Sequence, residues 1–239
     1  MAKPKRVSFP REEFIINCIE NNRDGFSMAW NENKTLYNFQ TLNPDKALQK
    51  YKELAARLDP EKSAMIFHAR IATHGNVTLS NCHCWIEDDV AFAHNGILNI
   101  AATKGRTDSQ TYFQDTFLKI KKAYGIKAAY DNARKVIGAS RFAFLRPNGD
   151  LILMGDWVSF CDIPKGTAHF SNTSFQRRSY FRDFMRFDHI VDRGRFHRLP
   201  TIRNIAADMG EDLEEDFLEN TGTLFPIDRF LEDAYSHRK

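Results

Sequence analysis

Along the 239-residue chain the spacing of apolar positions switches repeatedly between helical and strand periods, and each switch marks an element. After Pro10, the residues Phe14, Ile15, Cys18 and Ile19 fall on one helical face, with Glu12 and Glu13 in the first turn, where the helix dipole favours acids. The spacing predicts a core-facing helix over 11–19, broken by Asn21-Asn22-Arg23-Asp24-Gly25. Residues 26–30 and 35–39 read as a hairpin turning through 31–34, and a second helix over 45–58 stops at Asp59-Pro60. Residues 64–71 are almost continuously apolar and turn polar only at their end, the pattern of a buried strand that delivers His68 and Arg70 to one rim. Residues 90–94 repeat that design and end in His94. Helices follow over 107–124 and 127–137, and 141–145 pairs with 151–154 across Pro147-Asn148-Gly149-Asp150. Interspersed helices and tight hairpins predict an α+β fold, antiparallel sheets covered by helices.

Past Trp157 the character changes. Between 175 and 203, Arg177, Arg178, Arg182, Arg186, Arg193, Arg195, Arg198 and Arg203 mix with Phe175, Tyr180, Phe181, Phe184, Phe187 and Phe196, and residues 211–219 are acidic. We therefore divide the chain into a domain over 1–174 and a helical, Arg- and aromatic-rich extension over 175–239. Guanidinium groups and aromatic rings together can bind nucleic acid, but the same mixture makes a helix with a buried aromatic face and a solvated basic one. The second reading is favoured, because a net charge of +3 does not demand a polyanionic partner.

No apolar run reaches the ~18 residues that suggest a membrane span, and the basic start lacks a signal-type apolar segment, so a soluble cytoplasmic protein without membrane association is expected. The four cysteines form no secreted-type framework and read as reduced thiols. Cys82-His83-Cys84, with His68, His74 and His94 nearby, lacks the Cys-x2-Cys spacing of a structural zinc site, so neither a metal nor another cofactor is expected.

Three strings carry the chemistry: His68-Ala69-Arg70-Ile71-Ala72-Thr73-His74-Gly75, His94-Asn95-Gly96-Ile97-Leu98-Asn99 and Thr107-Asp108-Ser109-Gln110. Arg70 suits a carboxylate clamp, with Thr73 and His74 beside it, and Asp108 can accept from an ammonium. Asn95 offers an amide donor to an oxyanion, and Gly96 lets backbone and substrate approach closely. Taken singly, each has a plainer reading: Arg70 as a surface ion-pair residue, Asn95-Gly96 as a hairpin turn, Asp108 at an ordinary helix N-terminus.

In this order and spacing the strings resemble the substrate pocket of the class II glutamine amidotransferases, with weaker likeness at 22–25, 81–83 and 140–156. The resemblance implies a four-layer αββα N-terminal-nucleophile hydrolase sandwich. It implies that Arg70, Thr73 and His74 bind the glutamine carboxylate, that Asn95 and Gly96 form the oxyanion hole, and that Asp108 holds the α-amino group. Ile71 stands where many members have tryptophan.

The family's nucleophile is an N-terminal cysteine activated by its own α-amino group, whereas this chain reads Met1-Ala2-Lys3-Pro4. Cys18 reads as core, and residues 1–7 make a poor buried first strand, so that strand and its cysteine are expected upstream of Met1 or lost. The implied function is hydrolysis of L-glutamine to glutamate and ammonia, the ammonia passing to an acceptor on a separate synthetase or modifying enzyme. The alternatives are a glutamine-binding or scaffold pseudoenzyme and a nucleic-acid-associated protein.

Overall fold

Two antiparallel sheets carry the structure, a computed structural model that describes residues 1–72, 77–161 and 163–176. The expectations for Thr73 and His74 and for the extension beyond residue 176 lie outside the described residues. The first sheet has six strands: β1 (Ala2–Lys3), β2 (Phe26–Glu32), β3 (Thr35–Thr41), β4 (Met65–Ala69), β9 (Val158–Phe160) and β10 (Ala168–Phe170). Their spatial order is β3-β2-β4-β1-β10-β9. The second sheet runs β5-β6-β7-β8, formed by Trp85–Glu87, Val90–Asn95, Arg141–Leu145 and Leu151–Met154.

The period-2 pattern of each strand sorts its side chains between layers. On β2, Phe26, Met28 and Trp30 pack outward with Ile15, Cys18 and Ile19 of α1 (Glu12–Asn21) and Ala47, Tyr51 and Leu54 of α2 (Pro44–Arg57). Phe92, Phe142 and Phe144 of the second sheet pack outward against Tyr112, Phe113, Phe117, Ala129 and Ala133. These belong to a continuous helical segment: α3 (Asp108–Thr111), a π-helical stretch (Tyr112–Phe117) and α4 (Leu118–Val136). Each of these phenyl rings contributes roughly 1.5–3 kcal/mol by leaving water. Between the sheets lies a thin seam of small residues, Ala29, Ala64, Ala91, Ala93 and Ala143, with Ile66 and Leu145. The layers are thus helices, sheet, sheet, helices, the αββα arrangement expected from the sequence.

Local chemistry explains most boundaries. Asn43 caps α2 by accepting from the Lys46 amide at 2.9 Å, with Pro44 at the first helical position. Gly125, at φ +84°, breaks α4 where the sequence separates two helices. The first hairpin is tighter than expected: Asn31 and Glu32 still pair with Leu36 and Thr35, leaving a two-residue turn at Asn33-Lys34, both at positive φ.

The structure corrects the reading of the N-terminus and adds three strands, β5, β9 and β10, each too short to show a period. Ala2 is fully buried, paired with Ile66 on one side and His169 on the other. Pro4 falls just past the two residues that pair, so its missing N–H costs the ladder nothing. Lys3 is buried because its ammonium is satisfied: Nζ donates to the carbonyls of Ser63 (2.6 Å), Pro60 (3.2 Å) and Pro4 (3.2 Å) and stands 4.4 Å from the Phe9 ring centroid. Burial lowers its pKa to about 8, although Asp59 and Glu61 favour the charge.

Candidate active site

The polar strand ends gather at one end of the sandwich. Arg70 follows the last residue of β4, and its backbone is tied to the string Asp24-Gly25. The Arg70 amide donates to Gly25 O (2.8 Å), the Asp24 amide donates to Arg70 O (2.9 Å), and the Asp24 carboxylate accepts from the Ala72 amide (2.7 Å). Gly25 has φ +138°, and a Cβ there would come within 2.6 Å of Cys82 Sγ. The weaker string at 22–25 therefore sets the backbone position of Arg70, with Cys82 of the string 81–83 close beside Gly25. With only 5% of its surface exposed, Arg70 is not a plain surface ion-pair residue.

Asn95 ends β6 opposite Arg141, on the face that carries Ala91 and Ala93 toward the first sheet. Its Nδ2 donates to Ser171 Oγ at 2.8 Å. Gly96 has φ +134°, and a Cβ there would lie 2.8 Å from Ser140 Cβ and 2.9 Å from Ser140 Cα. The pair closes a strand against Ser140 and is not a hairpin turn, because the next strand of the sheet, β7, begins only at Arg141.

Asp108 opens α3 behind Thr107, which accepts from the Gln110 amide at 3.2 Å. Its carboxylate accepts from the Leu98 amide through Oδ2 and from the Ser109 amide through Oδ1, both at 2.7 Å. Burial works against ionisation, but these amide hydrogen bonds and the neighbouring His94 outweigh it and hold the carboxyl below its usual range. Asp108 thus anchors the loop that leaves Gly96.

Three imidazoles stack behind these groups. His68 lies on β4, with ring centroids 4.2 Å from His83, and His83 lies 6.1 Å from His94 with planes 4° apart. His83 Nδ1 donates to the His94 carbonyl at 2.6 Å. Burial lowers its pKa to about 3, and of the nearby charges the Arg70 guanidinium opposes protonation while Asp108 favours it. The Ser109 hydroxyl donates to Asp108 Oδ1 (3.1 Å), so at 2.7 Å from Ser109 Oγ it is His94 Nδ1 that carries a proton. Nε2 of His94 is then an acceptor, buried and without a hydrogen-bond partner among the described residues. Burial lowers its pKa to about 4. Among the described residues no group of three or more His, Cys, Asp or Glu side chains is arranged to hold a metal ion.

The sequence matches the family model of the class II glutamine amidotransferases over residues 11–151, more than half of the chain. The chain belongs to this family. Among curated proteins, none matches it. In this member of the family the matched span contains Arg70, Asn95, Gly96 and Asp108 and the strands β2 to β7, but two parts of the candidate site fall outside it.

Those parts are the head of β1 and the segment after β10. A small cavity, roughly 30 Å³, is lined by Met1, Cys18, Asn22, His68, Asn95, Ser171 and Ser174, among others. The Met1 nitrogen donates to Phe67 O at 2.7 Å, and burial lowers the pKa of this amino group. Cys18 does lie in the core, as its helical spacing predicts, yet it also forms part of the cavity wall. Burial pushes its thiol up to about 11. Sequence reasoning missed Ser171 and Ser174; the only signal was a polar run, Ser171-Asn172-Thr173-Ser174, directly after a short apolar stretch.

Proposed function

We propose that this amidotransferase-family domain binds L-glutamine, with Arg70 on the α-carboxylate, Asp108 on the α-ammonium, and Asn95 and Gly96 toward the side-chain carbonyl. Thr73 and His74 complete the carboxylate end of this reading. The observation that carries it is the buried imidazole column that links the two ends: His68, two residues before Arg70, stacks on His83 at 4.2 Å, His83 faces His94 at 6.1 Å, and His94 Nδ1 lies 2.7 Å from the hydroxyl of Ser109, next to Asp108. Opposite charges held at one strand-end cluster suit a zwitterionic α-amino acid, and the neutral imidazoles between them add no competing charge. Asp108 already accepts two amide hydrogen bonds, and a carboxylate has lone pairs left for an ammonium.

The glutaminase half-reaction needs a thiolate to attack the side-chain amide carbon, donors for the tetrahedral oxyanion, departure of ammonia and hydrolysis of the thioester by water. In the proposal a cysteine at the head of β1 would supply the thiolate and ammonia would serve an acceptor on a separate synthetase or modifying enzyme. In this chain the head of β1 reads Met1-Ala2-Lys3, with no thiol or hydroxyl among the three. The second reading is a glutamine-binding or scaffold domain without chemistry. No described helix is long and apolar enough to cross a membrane. A cytoplasmic setting is part of this proposal.

Calorimetry with L-glutamine tests the pocket. The unmodified protein is expected to bind, and Arg70→Ala or Asp108→Ala to weaken binding by about 10- to 100-fold, the worth of a charge-assisted hydrogen bond. Unchanged affinity in both variants refutes the assignment. Ammonia release from Met1→Cys, expressed behind a removable initiator methionine so that the cysteine becomes the first residue, tests the chemistry, because it is Met1 that lines the cavity; activity there and none in the unmodified protein is the expected pair of results.

A further inference from the structure

Asn95 makes a direct side-chain bond to the segment beyond the family match, and its partner is held in place from several sides. Its Nδ2 donates to Ser171 Oγ at 2.8 Å across 76 residues of sequence. Ser171 follows β10, whose register with β1 is fixed at His169. From α1, Asn21 Nδ2 donates to Ser174 O and Asn17 Nδ2 donates to Phe175 O, each at 2.9 Å. Phe175, only 3% exposed, stacks on Phe170 at 4.1 Å between ring centroids and meets Phe160 at 5.2 Å. The segment is therefore fastened by its own backbone carbonyls and an aromatic anchor, and Ser171 presents a hydroxyl at a set place on the cavity wall.

A primary amide carries two N–H donors on one nitrogen, and their directions are locked to the plane of the carboxamide. When one of them is taken by a fixed acceptor, the plane is fixed and so is the direction of the other. We infer that Ser171 is a positioning residue: its hydroxyl takes one N–H of Asn95 and thereby fixes the direction of the second toward the carbonyl oxygen of a bound side-chain amide. Ser171 acts through Asn95 and touches no reacting atom. Its contribution is preorganisation, which spares the amide a reorientation when negative charge develops on that oxygen. Asn95 sits at the end of β6, where no further strand residue constrains its torsions, so an outside hold has an effect there.

The inference rests on the glutamine reading of the pocket, and the experiment separates the two. L-glutamine and L-norleucine, an α-amino acid without a side-chain carbonyl, are titrated into the unmodified protein, Ser171→Ala and Ser171→Thr. In parallel, the Asn95 side-chain amide signal is followed by ¹H–¹⁵N NMR, assigned by its loss in Asn95→Asp. The expected result is that Ser171→Ala weakens glutamine about 3- to 10-fold, the worth of one neutral hydrogen bond. Norleucine binding stays unchanged, the Asn95 signal shifts, and Ser171→Thr, which keeps the hydroxyl, restores both glutamine affinity and the signal.

Equal glutamine affinity in Ser171→Ala and the unmodified protein overturns the inference while leaving the pocket assignment intact. Tighter binding in Ser171→Ala also overturns it, by showing that the hydroxyl competes with the ligand. Equal loss for both amino acids would mark a merely structural role. Absence of glutamine binding by the unmodified protein overturns both readings together.

Discussion

The two ends of β1 open onto very different recesses. Beyond its far end lies a groove of about 620 Å³ lined by Pro4, Lys5, Arg6, Glu61, Lys62 and the turn Asn148-Gly149-Asp150-Leu151. At its head lies the cavity of roughly 30 Å³ that touches Asn95 and His68. The large groove is rich in charge, but several of those charges sit in exposed ion pairs: Lys5 with Asp150 at 3.5 Å, Lys62 with the neighbouring Asp59 at 3.2 Å, Glu61 with the neighbouring Lys165 at 2.6 Å. Such exposed pairs are worth at most about 1 kcal/mol each. At the small end Arg70 and the imidazoles of His83 and His94 are buried, burial lowers the pKa of His68, His83 and His94, and two ring nitrogens, His68 Nδ1 and His94 Nε2, lack described partners. Functional chemistry follows desolvation and unanswered polar groups, so the smaller recess is the better candidate.

That contrast can be broken by experiment. The largest effect is expected from Gly96→Ala: it forces a side chain onto φ +134° and against Ser140, and a loss of about 3 kcal/mol in urea unfolding is anticipated. A loss under ~0.5 kcal/mol, typical of an exposed site, would mean that the site end is no more constrained than the groove. Next comes acid sensitivity. His83 and His94 have folded pKa values of about 3 and about 4, below the ordinary 6.5, so between those limits the unfolded chain binds more protons. Stability should be complete well above pH 6.5 and fall as the pH drops through this window, by on the order of 2 kcal/mol from the two together at about pH 6. His83→Asn should flatten part of that slope, and an unchanged slope would show that the column is not titrating. The smallest effect belongs to the groove: Lys62→Ala should change stability by less than ~0.5 kcal/mol and leave glutamine affinity untouched. A clear loss of affinity there would reverse the comparison.

How much of this was legible beforehand depended on length and on range. The long elements, such as β2, β4 and α2, carry periods that name both their type and their buried face, and the strings around Arg70, Asn95 and Asp108 survive as local motifs. What escaped was short or non-local. Ala2–Lys3 is too brief to show alternation, and it is a strand only because β4 and β10 lie on either side of it. Burial of Lys3 contradicts any hydropathy reading, since its cost is met by carbonyls some 60 residues away. The histidine column joins His68 of one sheet to His83 and to His94 of the other, a stacking invisible in any window of sequence. Ser171 likewise bonds to Asn95 across a separation no local pattern encodes.

The caged ammonium of Lys3 has a consequence for tolerance. A two-residue strand has few ladder bonds with which to resist sliding, and a slip of one residue would exchange the faces of Ala2 and Lys3. Such a slip would pull the ammonium away from Ser63 and Pro60 and press a charge into the place of a methyl group, so the short strand has only one acceptable setting. Lys3 therefore works as an index pin. It fixes how deeply the head of β1 reaches toward Asn95 from the opposite end of the strand, and whatever residue stands at that head inherits a depth set by a lysine that never meets the ligand.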